Sequence, residues 1–430
     1  MTRTIWAPLR KFLRSPATIV GELGLITILG GLGAALPQAG VAPQAELDRL
    51  RSHGAFLTGL VDVLSLDHVF TSPAFLGVLA LAFLSLSIVV LEQWRRLRSQ
   101  WSLAPSEAAF RNAPHRIVFT RAPEGPEGDS VDIRTTGRLA QAGSPLFHTG
   151  LLCVVLAGVL RALFGAGALV DVYEGEVLPA GVEAWGAQWP GPLGRPFQLD
   201  EPLLLQAVET RAYPSGALLD LRLKLAPPGP GGGPVRELGV NEDLPLRRGR
   251  LYVGSEHGPT ALLEWSGPGT PAQRSALLLE RKEKEAFGAY GHGPSGLVAR
   301  VRAPRPGDGS RPGLAEVRVL QGDRVLGEAA LRPGEAMALP DGASLALHGL
   351  PTWVRLHGAY DPALPLAYLG FALAILGATL IFAIVRVDEL VATRTENGAC
   401  RVEVALRPAR FAPLYRDRFE RLVRHHGGTP

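Results

Sequence analysis

The sequence predicts a membrane α-helical protein with four transmembrane helices and an extracytoplasmic all-β domain of sandwich or open-barrel type. Three observations predict it. Hydrophobic residues fill 47% of the 430 positions and mean hydropathy is +0.14, high for a water-soluble chain of this size. Four apolar runs reach the length, about 20 residues, that a helix needs to cross hydrocarbon. Between the third and fourth runs the pattern changes to strict alternation, the mark of half-buried strands.

The four spans are 16–37, 72–91, 145–170 and 362–385. The first is longer than a signal-peptide core and reads as a retained anchor. The second and fourth are free of charge, whereas the first holds Glu22 and the third Arg161. An ionised carboxylate inside a span needs a partner or a proton. Glu22 therefore either pairs with an arginine or with His148, or sits as a neutral or snorkelling carboxyl near the headgroups. Arg161, near the outer end of its span, reaches the headgroups with its long side chain.

Orientation follows from lysine and arginine near the span ends. The N-terminal 15 residues carry Arg3, Arg10, Lys11 and Arg14, the connection 93–143 carries eight arginines, and the tail from 386 carries nine. The connection 38–71 has only Arg49 and Arg51, against Glu46, Asp48, Asp62 and Asp67. This asymmetry puts residues 1–15, 92–144 and 386–430 in the cytoplasm, and 38–71 and 171–361 outside. Ile5, Trp6, Leu9, Phe12 and Leu13 share one helical face opposite basic residues, which predicts an interfacial helix over 1–15. Leu47, Leu50, Leu57, Leu60, Val61 and Leu64 form a similar stripe in the first outer loop. In the tail, Tyr415, Phe419, Leu422 and Val423 lie opposite Arg416, Arg418, Arg421 and Arg424, a pattern suited to an anionic surface or a partner.

Within 171–361 the alternation is clearest from Leu219 to Leu225, where leucines alternate with Asp220, Arg222 and Lys224. Further strands are predicted around 250–253, 261–265, 297–302, 316–320, 324–326 and 344–348. The proline- and glycine-rich stretch 227–234 is a loop. Gln321-Gly322-Asp323 predicts a hairpin, and Asp341-Gly342 another tight turn.

Several function classes find no support. Two cysteines, Cys153 and Cys400, exclude a disulfide framework, a CxxC redox motif and a cysteine-built metal centre. No P-loop, Gly-x-Ser-x-Gly, dinucleotide fingerprint or His-Glu-x-x-His occurs. A net charge of +4 with no basic and aromatic module points to a membrane surface and not to nucleic acid.

Short motifs recur in a recognisable order. Pro37-Gln38 closes the first span, Phe70-Thr71-Ser72 leads to Phe75 at the second, and Arg95-Arg96 follows it. His148-Thr149-Gly150-Leu151 opens the third, and Glu174-Gly175-Glu176 follows on the outer side. Val240-Asn241, then Leu244-Pro245-Leu246-Arg247 with Gly249 and Tyr252, precede Asp361-Pro362 and Leu369-Gly370 at the fourth span. In these motifs and in architecture the chain resembles the ResB (CcsB) family of System II cytochrome c biogenesis proteins. Two departures are Pro73-Ala74, where an aromatic pair is frequent, and the two residues between Asn241 and Leu244.

The resemblance implies an accessory, non-catalytic subunit of a cytochrome c synthetase in the bacterial inner membrane. Such a subunit works with a CcsA-like tryptophan-rich haem-handling protein, assisting haem delivery across the membrane and its presentation to apocytochrome c. The implied cofactor is haem b shared with that partner, and the implied iron ligand in this chain is His148. The residue alone also admits another reading, an interfacial histidine bonded to a neighbouring carbonyl or to water. His68 and His357 are the better-placed candidates for an outer haem site, while His257, His292 and His348 read as structural. A haem propionate is a second possible partner for Arg161. Asn241, Pro245 and Tyr252 read as turn and core residues. The alternative function is a membrane-anchored scaffold or sensor whose β domain binds a protein and has no haem role.

Overall fold

The computed structural model describes residues 8 and 10–429, except 40–41, 43, 53–54, 123–127, 214–216, 230–232, 269, 284–285, 307–310 and 397–398. Ile5, Trp6 and Leu9 of the predicted interfacial helix thus lie outside the described residues, as do the side chains of Leu57 and Leu60 and the centre of the loop 227–234. The helices are α1 (Pro16–Ala35), α2 (Gln44–Ser52), α3 (Ala55–Leu64), α4 (Pro73–Gln100), α5 (Ala140–Phe164), α6 (Leu364–Ala383) and α7 (Arg416–His425). Four of them, α1, α4, α5 and α6, are long and apolar enough to cross a membrane. Their apolar side chains stay largely exposed, among them Val20, Ile28, Leu84, Ile375 and Phe382. Faces of that extent suit lipid or the helices of another membrane protein.

Two helix starts share one device. Ser15 and Ser72 cap α1 and α4, their hydroxyls accepting from the N–H groups of Thr18 and Phe75 at 3.1 Å, and a proline occupies the first helical position in each. Proline there forfeits no intrahelical hydrogen bond. The departure at Pro73 is therefore a helix-start residue. Contacts divide the chain into two compact units, one of residues 1–36, 63–161 and 363–430, the other of 37–62 and 162–362.

In the first unit, α1 packs on α4, and Gly33 lets it approach the ring of Phe70. Helices α5 and α6 meet backbone to backbone along buried Gly143, Gly150, Gly370 and Gly377. The seven-residue spacing on both helices keeps these glycines on one face. The cytoplasm-assigned loop and tail are not unstructured connections. Strands β1 (His115–Arg121), β2 (Ser130–Thr136), β20 (Val387–Glu396) and β21 (Ala399–Pro408) form an antiparallel sheet in the order β1-β21-β20-β2. Phe110, Leu390, Ala392 and Ala405 make one core of this small domain. Val402, Val404 and Val423 make another, with Ile117, Phe119, Phe419 and Leu422 packed on it. The apolar face of α7 thus serves its own sheet, and the reading of that face as a membrane or partner surface is corrected.

The second unit holds the large β region. Its strands are β3 (Ala166–Tyr173), β4 (Val177–Leu178), β5 (Ala187–Pro190), β6 (Leu203–Ala212), β7 (Leu218–Ala226), β8 (Arg236–Gly239), β9 (Asp243–Leu246) and β10 (Gly249–Gly267). They continue as β11 (Thr270–Leu278), β12 (Glu280–Glu283), β13 (Ala286–His292), β14 (Leu297–Pro304), β15 (Ala315–Gln321), β16 (Arg324–Leu331), β17 (Ala336–Ala338), β18 (Ser344–Gly349) and β19 (Thr352–Tyr360). An eight-stranded sheet runs β17-β18-β10-β19-β3-β5, with β9 and β11 also on β10. Its β3, β10 and β19 face the four-stranded sheet β4-β6-β7-β8 across one core. Its β10, β17 and β18 face the five-stranded sheet β12-β13-β14-β15-β16 across a second core. These are two sandwich layers sharing one strand. Strand β10 serves both because its register shifts between Val253 and His257, as a bulge bends a strand.

The predicted alternation holds in β7 from Leu221 on, where Leu221, Leu223 and Leu225 are buried while Arg222 and Lys224 pair with Asp220 and Glu209; Leu219, expected on the same core face, is exposed. The expected hairpin is a two-residue turn, with Gln321 opposite Arg324 and Gly322 at φ +57°. The third apolar run divides: its helix ends at Phe164, and β3 takes up the residues from Ala166 that the sequence reading counts in the span. A continuous apolar run does not distinguish a helix from a buried strand.

Candidate functional site

His148 lies two turns into α5, half-buried, with its ring edge-on to Phe147 at 5.5 Å. Its Nδ1 is 2.8 Å from the carbonyl oxygen of Ser144, one helical turn back. A carbonyl only accepts, so Nδ1 carries the proton and donates. Nε2 is then the nitrogen through which this ring could meet a metal, the other being held by the carbonyl. Among the described residues no hydrogen bond engages Nε2. The carbonyl-bound histidine of the alternative reading exists, but its bond uses the nitrogen that ligation leaves over.

Two further side chains fix this turn of α5. Thr149 donates its hydroxyl to the Pro145 carbonyl at 2.7 Å and accepts from Trp94 Nε1 of α4 at 3.0 Å. The Trp94 bond ties α4 to α5 one residue from His148. On another face, glycine contacts hold α5 to α6. Neither tie was legible in the sequence, because each depends on which helix faces which; Trp94 beside the Arg95-Arg96 motif was the available signal.

Glu22 is buried and accepts from Ser85 Oγ of α4 at 2.6 Å. The expected partners, an arginine or His148, are not those observed, and the carboxyl does not snorkel outward: it is buried facing α4. Arg161 occupies the last turn of α5.

His68 and His357 occupy different settings. His68 sits in a distorted turn with its ring 55% exposed, and its Nδ1 lies 2.6 Å from Oδ1 of buried Asp67. As in His148, an oxygen acceptor holds the Nδ1 proton. His357 is on β19, opposite Tyr252 of β10 and Leu169 of β3. A Cβ on Gly254 would come within 2.8 Å of its Nε2, so the ring lies against the β10 bulge. Burial holds its pKa below the usual imidazole value, Arg355 lowers it further, and Glu256 and Asp171 partly oppose this. Arg355 itself forms a two-point bridge to Asp171 at 2.7 and 2.9 Å. No hydrogen bond or ring contact joins His68, His148 and His357 to one another, and no cluster of three or more metal-ligating side chains occurs among the described residues. His348 pairs with Glu264 and His257 with the Ser255 carbonyl, structural bonds both.

The Glu174-Gly175-Glu176 motif is a structural staple. Glu174 accepts from the backbone N–H of Val208 at 2.7 Å and of Thr352 at 2.9 Å, and from Arg311. Gly175 supplies the φ of +89° that lets the turn close, and Glu176 accepts from Tyr173 N–H at 3.0 Å. Asn241 takes the left-handed conformation, φ +68°, in the turn between β8 and β9.

For haem the donor chemistry fits at His148: an imidazole whose Nδ1 is held by the Ser144 carbonyl and whose Nε2 has no hydrogen-bond partner among the described residues, on a helix of spanning length. The model of the ResB-like family matches residues 18–134. A cytochrome c biogenesis protein CcsB of Synechococcus sp. strain CC9902 is 27% identical over 392 residues, covering 83% of this chain and 85% of that protein. Its namesake in strain CC9311 is 28% identical over 442 residues, covering 91% and 88%. The CcsB of Prochlorococcus marinus strain MIT 9313 is 26% identical over 398 residues, covering 84% and 85%. The resemblance carried by the ordered motifs is therefore borne out: the chain is similar to the ResB family over residues 18–134 and to CcsB proteins over most of its length.

Proposed function

We propose that the chain is a ResB-like accessory subunit of a System II cytochrome c synthetase, assisting the outward passage of haem b and its presentation to apocytochrome c. The observation that carries the proposal for this chain's own part is the Nδ1–Ser144 bond, which supports His148 as a ligand through Nε2. Arginine asymmetry supports both termini in the cytoplasm, which sets His148 toward the inner side of the third span and the large β region outside. In the bacterial inner membrane, the partner is a CcsA-like tryptophan-rich protein, and the client an apocytochrome c.

Bound haem would supply an iron that takes a neutral nitrogen donor and a vinyl-bearing ring for attachment. What the chain's own residues do is narrower. Ser144 holds the proton on Nδ1, Thr149 and Trp94 fix the helical turn, and the glycine contacts fix the backbone behind it. His68, with Asp67 orienting its ring, is the outer candidate whose exposure suits a ligand; His357 is more enclosed.

The test is co-purification with the CcsA-like subunit, followed by an absorption spectrum. His148→Ala is expected to lower the Soret band per complex and the yield of mature cytochrome c. Unchanged haem content and yield would remove His148 from the site. An intact chain that never associates with such a subunit would favour the scaffold or sensor reading.

A further inference from the structure

The apolar face of α7 is covered by its sheet, yet the turn before it leaves two large apolar side chains in the open. Phe411 is 55% exposed and Leu414 80% exposed. Phe411 also holds the left-handed conformation, φ +54°, unusual for a bulky residue. This turn is stitched to the end of α6. Arg410 Nη2 donates to the Ile384 carbonyl just past that helix at 3.3 Å, and Ala409 N–H donates to the Arg386 carbonyl at 2.8 Å. The Arg410 guanidinium lies 5.9 Å from the ring of Phe382 and 5.7 Å from that of Phe411. From the other side, His115 of β1 donates Nε2–H to the Ala412 carbonyl at 2.7 Å and stacks on Phe419.

A span of apolar residues ends where hydrocarbon gives way to headgroups, and Phe382 stands at that end of α6. Arg410 ties Phe411 to the same level. Aromatic rings beside a guanidinium are the pairing favoured at that depth, and a guanidinium meets phosphate oxygens with two parallel donors. The tail carries nine arginines against six carboxylates, so the field around the turn attracts anions.

We propose that Arg410, Phe411 and Leu414 form a membrane-surface anchor that seats the small four-stranded domain on a leaflet of anionic phospholipid. Phe411 and Leu414 enter the headgroup region and Arg410 binds lipid phosphate. The anchor stands apart from the haem reading and requires only that α6 cross a bilayer.

The experiment uses the full chain in nanodiscs, with Cys153→Ala and Cys400→Ala as background and a spin label on Leu414→Cys. Power saturation against oxygen and a water-soluble nickel chelate reads its depth. In phosphatidylglycerol discs the label is expected to be several-fold less accessible to nickel than a label on Val131→Cys, an exposed position on β2. Adding Arg410→Gln, or changing to phosphatidylcholine, is expected to move it toward water. Equal nickel access at the two positions in both lipids would overturn the proposal, as would shielding of position 414 only when another protein is added. Hydrogen exchange of the unsubstituted chain over 409–416 asks the same question without substitution: slower exchange in phosphatidylglycerol is expected, and equal rates in the two lipids refute the anchor.

Discussion

Gly150→Ala should damage the protein although alanine is the better helix former, and the structure sets the size of the effect. A Cβ at Gly150 would lie 2.5 Å from the carbonyl oxygen of Gly370 on α6. Ordinary contact begins at about 3.5 Å, so the backbones would have to part by roughly 1 Å. Overpacking of that kind costs about 1–3 kcal/mol, offset by about 0.5–1 kcal/mol of helix preference for alanine. Gly158 is on the same helix, and a Cβ there meets nothing within 4 Å. Gly158→Ala should therefore be neutral or stabilising by up to about 1 kcal/mol. The assay is thermal unfolding of the full chain in one detergent, followed by tryptophan fluorescence, for wild type and both variants. Gly150→Ala should melt below wild type and Gly158→Ala at or above it. Because Gly150 is two residues from His148, the first variant should also carry less haem per complex if His148 is a ligand. Identical melting of the two variants, or a shift of both in one direction, would refute the packing argument.

Glu174→Ala leaves the Val208 and Thr352 N–H groups without their acceptor. A buried donor left unpaired costs about 1–3 kcal/mol, so a marked fall in the melting midpoint of the full chain is expected, with Glu174→Gln milder. A midpoint equal to wild type for the alanine variant would contradict the staple. Ser85 and Glu22 should couple by about 0.6–2 kcal/mol in a double-mutant cycle using Ser85→Ala and Glu22→Leu; additive effects would mean that the 2.6 Å bond contributes nothing. His357 should make the β region acid-sensitive. Its folded-state pKa is depressed by burial, so the unfolded chain takes up the proton first; the contribution is complete above the unfolded value and is lost as pH falls through the folded one. Glu176 has the opposite sign, because burial raises its pKa. The check is therefore the difference between wild type and His357→Gln from about pH 7.5 to about pH 5, over which the imidazole titrates. A difference that does not change with pH would count against the enclosed, neutral histidine.

How much was legible follows from what each feature depends on. Spans depend on the solvent, and lipid imposes length and apolarity whatever the neighbouring helix is. The strands of the large β region show through their own alternation, as Leu221, Leu223 and Leu225 do. The small sheet stayed hidden because its strands pair across most of the chain, His115 opposite Leu406 and Ile133 opposite Leu390. Each strand sits in an arginine-rich segment whose charges count toward topology and mask the period. Several of those charges are paired on the sheet, Arg116 of β1 with Glu403 and Arg418 of α7 with Glu389. The end of α5 was obscured for another reason: the apolar run passes from Phe164 into β3 with only Gly165 between them.

At the candidate site the division is sharper. Residues one helical turn apart share a face, so a bond from His148 to a carbonyl of the preceding turn was open to expectation, and the structure identifies it as that of Ser144. The bonds from Ser85 to Glu22 and from Trp94 to Thr149 join different helices and needed their packing. That packing also shows which polar atoms have a partner. In lipid a polar atom must find a partner within the protein. Thr149 has both, donating to Pro145 and accepting from Trp94. Trp94 has its single donor engaged. His148 has one nitrogen engaged and one with no partner among the described residues. Within that trio His148 is the half-satisfied member, which is why the proposed ligand is placed at its Nε2 and why Thr149 and Trp94 are read as fixing the helical turn.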